Sequence, residues 1–400
     1  MSIKRASIPQ VAVLVSLVLK GHRDIFRGVL HYAKQHGPWR LYRMEDRPGE
    51  SRLRDLTRWG CTGIVTGACN TREAAFIINA GVPVAIIEPS PDMRDPAHPL
   101  ANRPCVLVDS YAVGQLAARF FLDRHYAHFA FVGDSHDLYW SQERGRGFRD
   151  EISAAGLSCC FYPSPNPKER RDWAIEQPRM QGWLKALPKP AALFAAMDGR
   201  GRHVLDACTG ARIDVPNEVA VLGVDDDELI CESASPTLSS IQLNGKQIGF
   251  LLAEHLAQLM RGVRLKPQIF TIVPTQVTTR QSTAAMAVPD KQVALALEYI
   301  WSEASHRAIR VPDVVHQLGR SRRFAEMHFK RIVGHTINEE IQHVRLERVC
   351  TLLAETNLPI GEITRQCGFA RESHLAFLFR KLFNTSMSAF RAATRKCLQP

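Results

Sequence analysis

Carboxylate and guanidinium groups each present two hydrogen bonds in a fixed fork, and pairs of them suit the vicinal hydroxyls of a polyol. The sequence carries such groups at several points. Asp198 opens Asp198-Gly-Arg200-Gly-Arg202-His203, Asp225 stands in Gly223-Val-Asp225-Asp-Asp, and Arg144 follows Trp140 in Trp140-Ser-Gln-Glu143-Arg144. Arg23 comes soon after the first apolar run. An aromatic face such as Trp140 can cover the apolar side of a sugar ring. Each residue also has a plainer use. Read alone, Asp198 and Asp225 serve equally as helix N-caps, Trp140 as core, and Arg144 as one half of a surface ion pair. A second set lies near the end of the chain: Ser321, Arg322, Arg323, Glu326, Met327 and Lys330, then Arg371, Glu372, Ser373, His374, Phe377, Arg380 and Lys381. Arg can donate two hydrogen bonds to guanine and Glu can accept one from cytosine. Lys330, Arg331, Arg380 and Lys381 suit phosphate, which gives affinity without sequence information.

Elements must hold these groups in place. Apolar runs at 11–16, 62–66, 82–87, 106–108, 129–132, 191–196 and 219–224 read as strands. Between them Phe26, Val29, Leu30 and Ala33 repeat at helical spacing, as do Val113, Leu116, Ala117 and Phe120. Strands alternating with helices imply α/β architecture with parallel sheets covered on both faces. The stretch is long for one sheet, so two lobes are expected, the second starting near Asp109. We expect lobes of residues 8–108 plus 241–268 and 109–238 plus 270–282. Together they make a body of residues 1–282, followed by a linker over 283–290. Parallel sheets bind ligands at the carboxyl ends of their strands, where Asp198, Asp225 and Arg23 fall.

Residues 291–400 carry no strand signal and read as an all-α domain. Two segments share one design. A short helix starts near Pro312 or Pro359 and ends at Gly319 or Gly368, and a second helix with a polar tip follows. Glycine takes the positive φ of such a corner without a Cβ clash. This is a double helix-turn-helix layout, whose second helices can enter the major groove of double-stranded DNA. Between the units, Ile337, Ile341 and Val344, then Leu346, Val349 and Leu353, keep helical spacing over 338–355. Eighteen helical residues span about 27 Å, near the roughly 34 Å of one DNA turn. Phe324, Phe329, Leu375, Phe379 and Phe383 are expected in the core.

The tail resembles the AraC-type DNA-binding domain over about 290–395. The resemblance rests on Ser321-Arg-Arg…Phe329-Lys330, Gly334-x-Thr-Ile, Arg345 with Leu352-Leu353, Ile363-x-x-x-Cys-Gly-Phe369, Phe379-Arg-Lys-x-Phe383 and Phe390-Arg391. It departs where Met387 and Ser388 replace the family's usual Pro. The body resembles the periplasmic-binding-protein-like effector domain of lactose-repressor-type regulators. The shared pieces are Arg23-x-x-x-Arg27-Gly-Val, Val108-Asp109-x-x-x-x-Gly114 and Val221-Leu-Gly-Val-Asp225-Asp. The combination implies a sugar-responsive transcription regulator, an activator by resemblance, with ligand held between lobes by Arg23, Trp140, Arg144, Asp198, Arg200 and Asp225. A pentose such as xylose is the effector it implies. A homodimer and contact with RNA polymerase are implied with it. The loop 16–22 lacks the tyrosine and asparagine expected for a pentose, and Asp226-Asp227 makes the site more acidic.

Composition agrees with a regulator. The 400 residues carry 51 Lys and Arg against 40 Asp and Glu, net +11, which suits a polyanionic partner. Residues 291–400 hold 17 basic and 10 acidic residues against 34 and 30 before them, so the excess concentrates in the helical tail. No apolar run approaches the ~20 residues of a membrane span. Lys4 and Arg5 before the run at 11–19 suggest a secretion signal only superficially, since no small-residue cleavage site follows and the β-branched run reads as a strand. Ten scattered cysteines lack zinc or redox spacing and fit a reducing, cytoplasmic setting. No nucleophile elbow, HExxH, P-loop or GxGxxG occurs, and no Pro-Cys-His of an alkyl-repair nucleophile. Neither an enzyme nor a cofactor or metal is therefore expected.

Overall fold

A computed structural model describes residues 8–43, 56, 58–69, 71–134, 138–163, 166, 172–264, 269–274, 276–284, 290–304, 309–383 and 385–396. Two six-stranded sheets define two lobes. The first runs β11-β5-β4-β3-β1-β2, formed by β1 (Gln10–Leu14), β2 (Arg40–Arg43), β3 (Gly63–Thr66), β4 (Val84–Ile87), β5 (Cys105–Val108) and β11 (Ile269–Ile272). All of its pairings are parallel. The second runs β12-β10-β9-β8-β6-β7, formed by β6 (His128–Val132), β7 (Cys159–Phe161), β8 (Ala191–Ala195), β9 (Val219–Val224), β10 (Ser239–Gln242) and β12 (Gln276–Thr278). Here only β12 is antiparallel. Central strands such as Val219–Val224 are buried along their whole length, which is why they read as unbroken apolar runs.

The seven strands expected from apolar runs are all present within a residue or two. Edge strands β2 and β7 and the returning strands β10, β11 and β12 lie outside those seven runs. They move the crossovers: Ser239–Gln242 lies wholly in the second lobe and Ile269–Ile272 in the first, so the divisions drawn at 240 and 269 fall inside strands. The linker also starts later than 283. Ser282 and Thr283 are buried, and Ser282 bonds the Ser239 amide and the Val221 carbonyl. Residues 285–289 lie outside the described residues.

The lobes repeat one packing device. In the first, α1 (Lys20–His36) meets α8 (Gly245–Met260); in the second, α3 (Ser110–Leu122) meets α4 (Tyr139–Ala154). A Cβ at Gly249 would lie 1.9 Å from the Ile25 carbonyl oxygen, and one at Gly114 would lie 2.0 Å from that of Arg144. Only glycine admits backbones this close. The remaining body helices are α2 (Thr71–Asn79), α5 (Trp173–Ala186), α6 (Asp198–Ala211) and α7 (Glu228–Ser233).

The tail is helical among its described residues: α9 (Lys291–Glu303), α10 (Val311–Leu318), α11 (Arg322–Val333), α12 (Ile337–Glu355), α13 (Ile360–Gln366), α14 (Glu372–Phe383) and α15 (Met387–Lys396). Gly319 and Gly368 turn with φ of +58° and +72°. Helix α12 opens on a capping box, with the Glu339 amide bonded to Thr336 Oγ1 and the Thr336 amide to Glu339. Its first half packs Ile337, Ile341 and Val344 into one core, and its second packs Leu346, Val349, Leu352 and Leu353 into another. One rod thus joins two separate helix-turn-helix cores. Met387 is buried at the start of α15, where it fills the second core.

Candidate ligand centre and nucleic-acid interface

The polar centre forms where strand ends of both lobes face each other. Arg144 projects from α4 and is 5% exposed. Its Nη1 donates to the Ala196 carbonyl at 2.5 Å, its guanidinium lies 4.6 Å from the Trp140 ring centroid, and its Nε has no partner. The carboxylates of Asp225, Glu88 and Asp198 act on it in turn, opposing the burial that lowers its pKa. Trp140 therefore both packs into the lobe core and floors the arginine. Arg144 is not half of a surface pair.

Three consecutive aspartates divide the work at the end of β9. Asp226 is tied down by Arg280 at 2.8 Å and by the Thr278 hydroxyl. Asp227 caps α7 through the Leu229 amide and pairs across the lobes with Arg23 Nη2 at 2.9 Å. Asp225 is left toward Arg144 and toward Lys20 of the first lobe. Its φ of +104° is costly for a non-glycine residue, and such backbone persists where surroundings over-determine it. Burial raises its pKa to about 6 against the pull of Arg144 and Lys20.

Asp198 is 1% exposed. It receives the Ser240 hydroxyl on Oδ1 and the Asp227 amide on Oδ2. It therefore braces the aspartate loop from beneath instead of capping α6. Burial, then the charge of Asp225, raises its pKa to about 8. Arg200 is drawn away from this centre. It is 3% exposed, grips Glu176 with both Nη atoms at 3.1 and 2.7 Å, and bonds the Gly133 carbonyl through Nε. Arg23 is likewise spent on Asp227 and on the Leu17 and Val18 carbonyls, which folds the loop 16–22 onto α1.

Sequence reasoning missed Glu88. It follows β4 with φ +46°, accepts the Val108 amide, and is pushed up by burial against the pull of Arg144 and Arg94. The strand-end rule that picked out Asp198, Asp225 and Arg23 would have found it had it been applied to the end of β4. Two cavities lie beside these groups. One of about 220 Å³ sits among Lys20, Asp24, Gln242 and Asn244, and one of about 1350 Å³ separates the second lobe from the tail. Beside the latter, Asp123, Arg124 and His125 dock against the tail. Arg124 lies 4.4 Å from the Trp301 ring centroid, and His343 is 3.8 Å from Asp123.

On the tail, α11 and α14 bury Ala325 and Phe329, and Leu375 and Phe379. Ser321, Arg322, Arg323, Met327 and Lys330, and Arg371, Glu372, Ser373, His374, Phe377, Arg380 and Lys381 are exposed, with Glu326 partly so. Arg322 Nε pairs with Glu326 along the helix at 3.0 Å. Phe324, expected in the core, is 43% exposed. It stacks on His328 with Arg320 above it, because it precedes the buried stripe by one residue.

A periplasmic binding protein-like domain model matches residues 118–283 and a helix-turn-helix domain model matches residues 314–393. The chain is 27% identical to the xylose operon regulatory protein of Escherichia coli strain K12, over 92% of this chain and 93% of that protein. It is 31% identical to the protein of the same description from Haemophilus influenzae, over 72% and 74%. A solved xylose-binding transcription activator superposes with a TM-score of 0.60 at 25% identity, over 96% and 98% of the two chains. No helix among the described residues is long and apolar enough to cross a membrane. These relatives are regulators, not enzymes, and this chain belongs to the xylose operon regulatory protein family: a transcription regulator with a periplasmic-binding-protein-like body and an AraC-type DNA-binding tail.

Proposed function

We propose that this regulator is an activator switched by a small neutral sugar, xylose or a pentose of like shape, bound between the lobes. The observation that carries the reading is Arg144, a buried guanidinium with an unpartnered Nε, floored by Trp140 and faced by several carboxylates. Acceptors outnumber donors there, so the centre favours hydroxyls and disfavours a sugar acid or phosphate. Arg144, Trp140, Asp225 and Glu88 would touch the ligand. Asp198, Arg200 and Arg23 would hold the loops that present them.

The effector body would run through Thr283, with the linker after it and residues 291–400 forming the DNA-binding module. Ser321, Arg322, Arg323, Glu326 and Met327, and Arg371, Glu372, Ser373, His374 and Phe377, would face base edges of double-stranded DNA, with Lys330, Arg331, Arg380 and Lys381 on phosphate. The protein would act as a homodimer in the cytoplasm and contact RNA polymerase. Sugar shifts DNA binding only through unequal affinity for two lobe arrangements.

Calorimetry with xylose, arabinose, ribose and glucose tests the centre. One pentose should bind the native chain, and Asp225→Ala and Arg144→Met should abolish that binding while sparing basal DNA affinity. Unaltered sugar binding by both variants would sink the assignment.

A further inference from the structure

The two reading helices follow the same burial register, fifty residues apart. Ala325 and Phe329 of α11 are buried where Leu375 and Phe379 of α14 are. In that shared frame, Met327 and Phe377 occupy one position, the sixth residue of each helix. They are 63% and 66% exposed, among the most exposed large apolar side chains among the described residues. At about 100° per residue, the position lies roughly opposite the buried stripe. It is therefore aimed straight out of each helix, and the fold has no use for it.

Each apolar residue sits in the middle of a stripe at i, i+4 and i+7: Arg323, Met327 and Lys330 on α11, and Ser373, Phe377 and Arg380 on α14. All six are exposed. A groove-entering helix with a polar residue at its tip and a cation farther along matches a polyanion flanking a base-pair floor. Within the major groove, the thymine C5-methyl is the group that an apolar side chain recognises.

We propose that Met327 and Phe377 are thymine-methyl readers, one for each helix-turn-helix unit, and that they specify A·T pairs at two positions about one DNA turn apart. This rests on the DNA-reading function above. It adds the chemical group that is read and predicts that the protein distinguishes thymine from uracil.

The test begins with binding sites selected from random duplexes by the full-length protein, with xylose supplied. Each thymine in the selected site is then replaced by uracil, which deletes only the methyl group. Two positions roughly 10 base pairs apart should each lose about fourfold in affinity, the worth of one buried methyl-sized group. Met327→Ala should erase the sensitivity at one position and Phe377→Ala at the other, with the salt dependence of binding unchanged. The inference is overturned if no thymine responds, or if the response persists in both variants. It is also overturned if the variants keep full DNA affinity but lose activation in a reconstituted transcription assay, which would assign the residues to polymerase. Failure to enrich any sequence would refute the DNA-binding function itself, a separate outcome.

Discussion

The interlobe centre and the reading helices both concentrate charge, but in opposite physical settings. Arg144, Asp198 and Asp225 are desolvated, and the two carboxyls titrate well above their ordinary range. Arg322, Arg323 and Glu326 stand in solvent and meet at most a neighbour on their own helix. A desolvated centre is rigid and intolerant of an unpaired charge, whereas a solvated face is cheap to alter and acts only when a partner arrives. The contrast teaches that the two sites fail differently. Damage to the first destabilises as well as disarms, and damage to the second only disarms.

The sharpest challenge is Arg144→Met. It should abolish sugar binding and, by stranding buried carboxylates, cost about 3–5 kcal/mol of stability near neutral pH. Urea unfolding measures the cost, which should shrink at pH 5, where those groups take up protons. Gly114→Val comes next. The close approach of α3 and α4 leaves no room for its side chain, so about 1–3 kcal/mol should be lost, together with sugar affinity. A calorimetric titration showing native affinity in that variant would mean α4 does not set the centre.

The pH dependence is a subtler probe. Asp198 and Asp225 have raised folded pKa values, so the native chain holds more protons than the unfolded chain above pH 4. Their contribution is complete below the unfolded value and is lost as pH rises through about 6 and then about 8. Their share should appear as the difference between the native chain and Asp198→Asn: from pH 5 to pH 8 the unfolding temperature of the native chain should drop relative to that of the variant. The smallest structural effect should come from Arg322→Ala. Breaking its exposed pair with Glu326 should change stability by under about 0.5 kcal/mol, while affinity for the cognate site falls by about 1–3 kcal/mol if the arginine forks a guanine. A loss of stability in Arg322→Ala as large as that of Arg144→Met would erase the contrast.

The sequence made the two sites legible to different degrees. The tail was readable because local rules suffice there: Gly319 and Gly368 mark corners, and the stripe along α12 announces its two cores. Phe324 was misplaced because a helix face turns by 100° per residue, so a shift of one residue moves it from core to surface. The body's strands were readable from buried apolar runs. Its returning strands were not, since Ser239–Gln242 and Gln276–Thr278 are polar and gain their place from partners far along the chain. The same long-range pairing hid the true partners of Arg200 and Arg23, Glu176 and Asp227, which no spacing rule connects.

The glycine contact between α3 and α4 has a mechanical corollary. With Gly114 lodged against the backbone of Arg144, the two helices must travel as one strut. One end of that strut holds the guanidinium, and the other ends in the corner 123–125, whose Arg124 and Asp123 lean on Trp301 and His343 of the tail. Any shift of the helix that carries the arginine must therefore take its neighbour along, and with it the corner that bears on Trp301 and His343 of the tail.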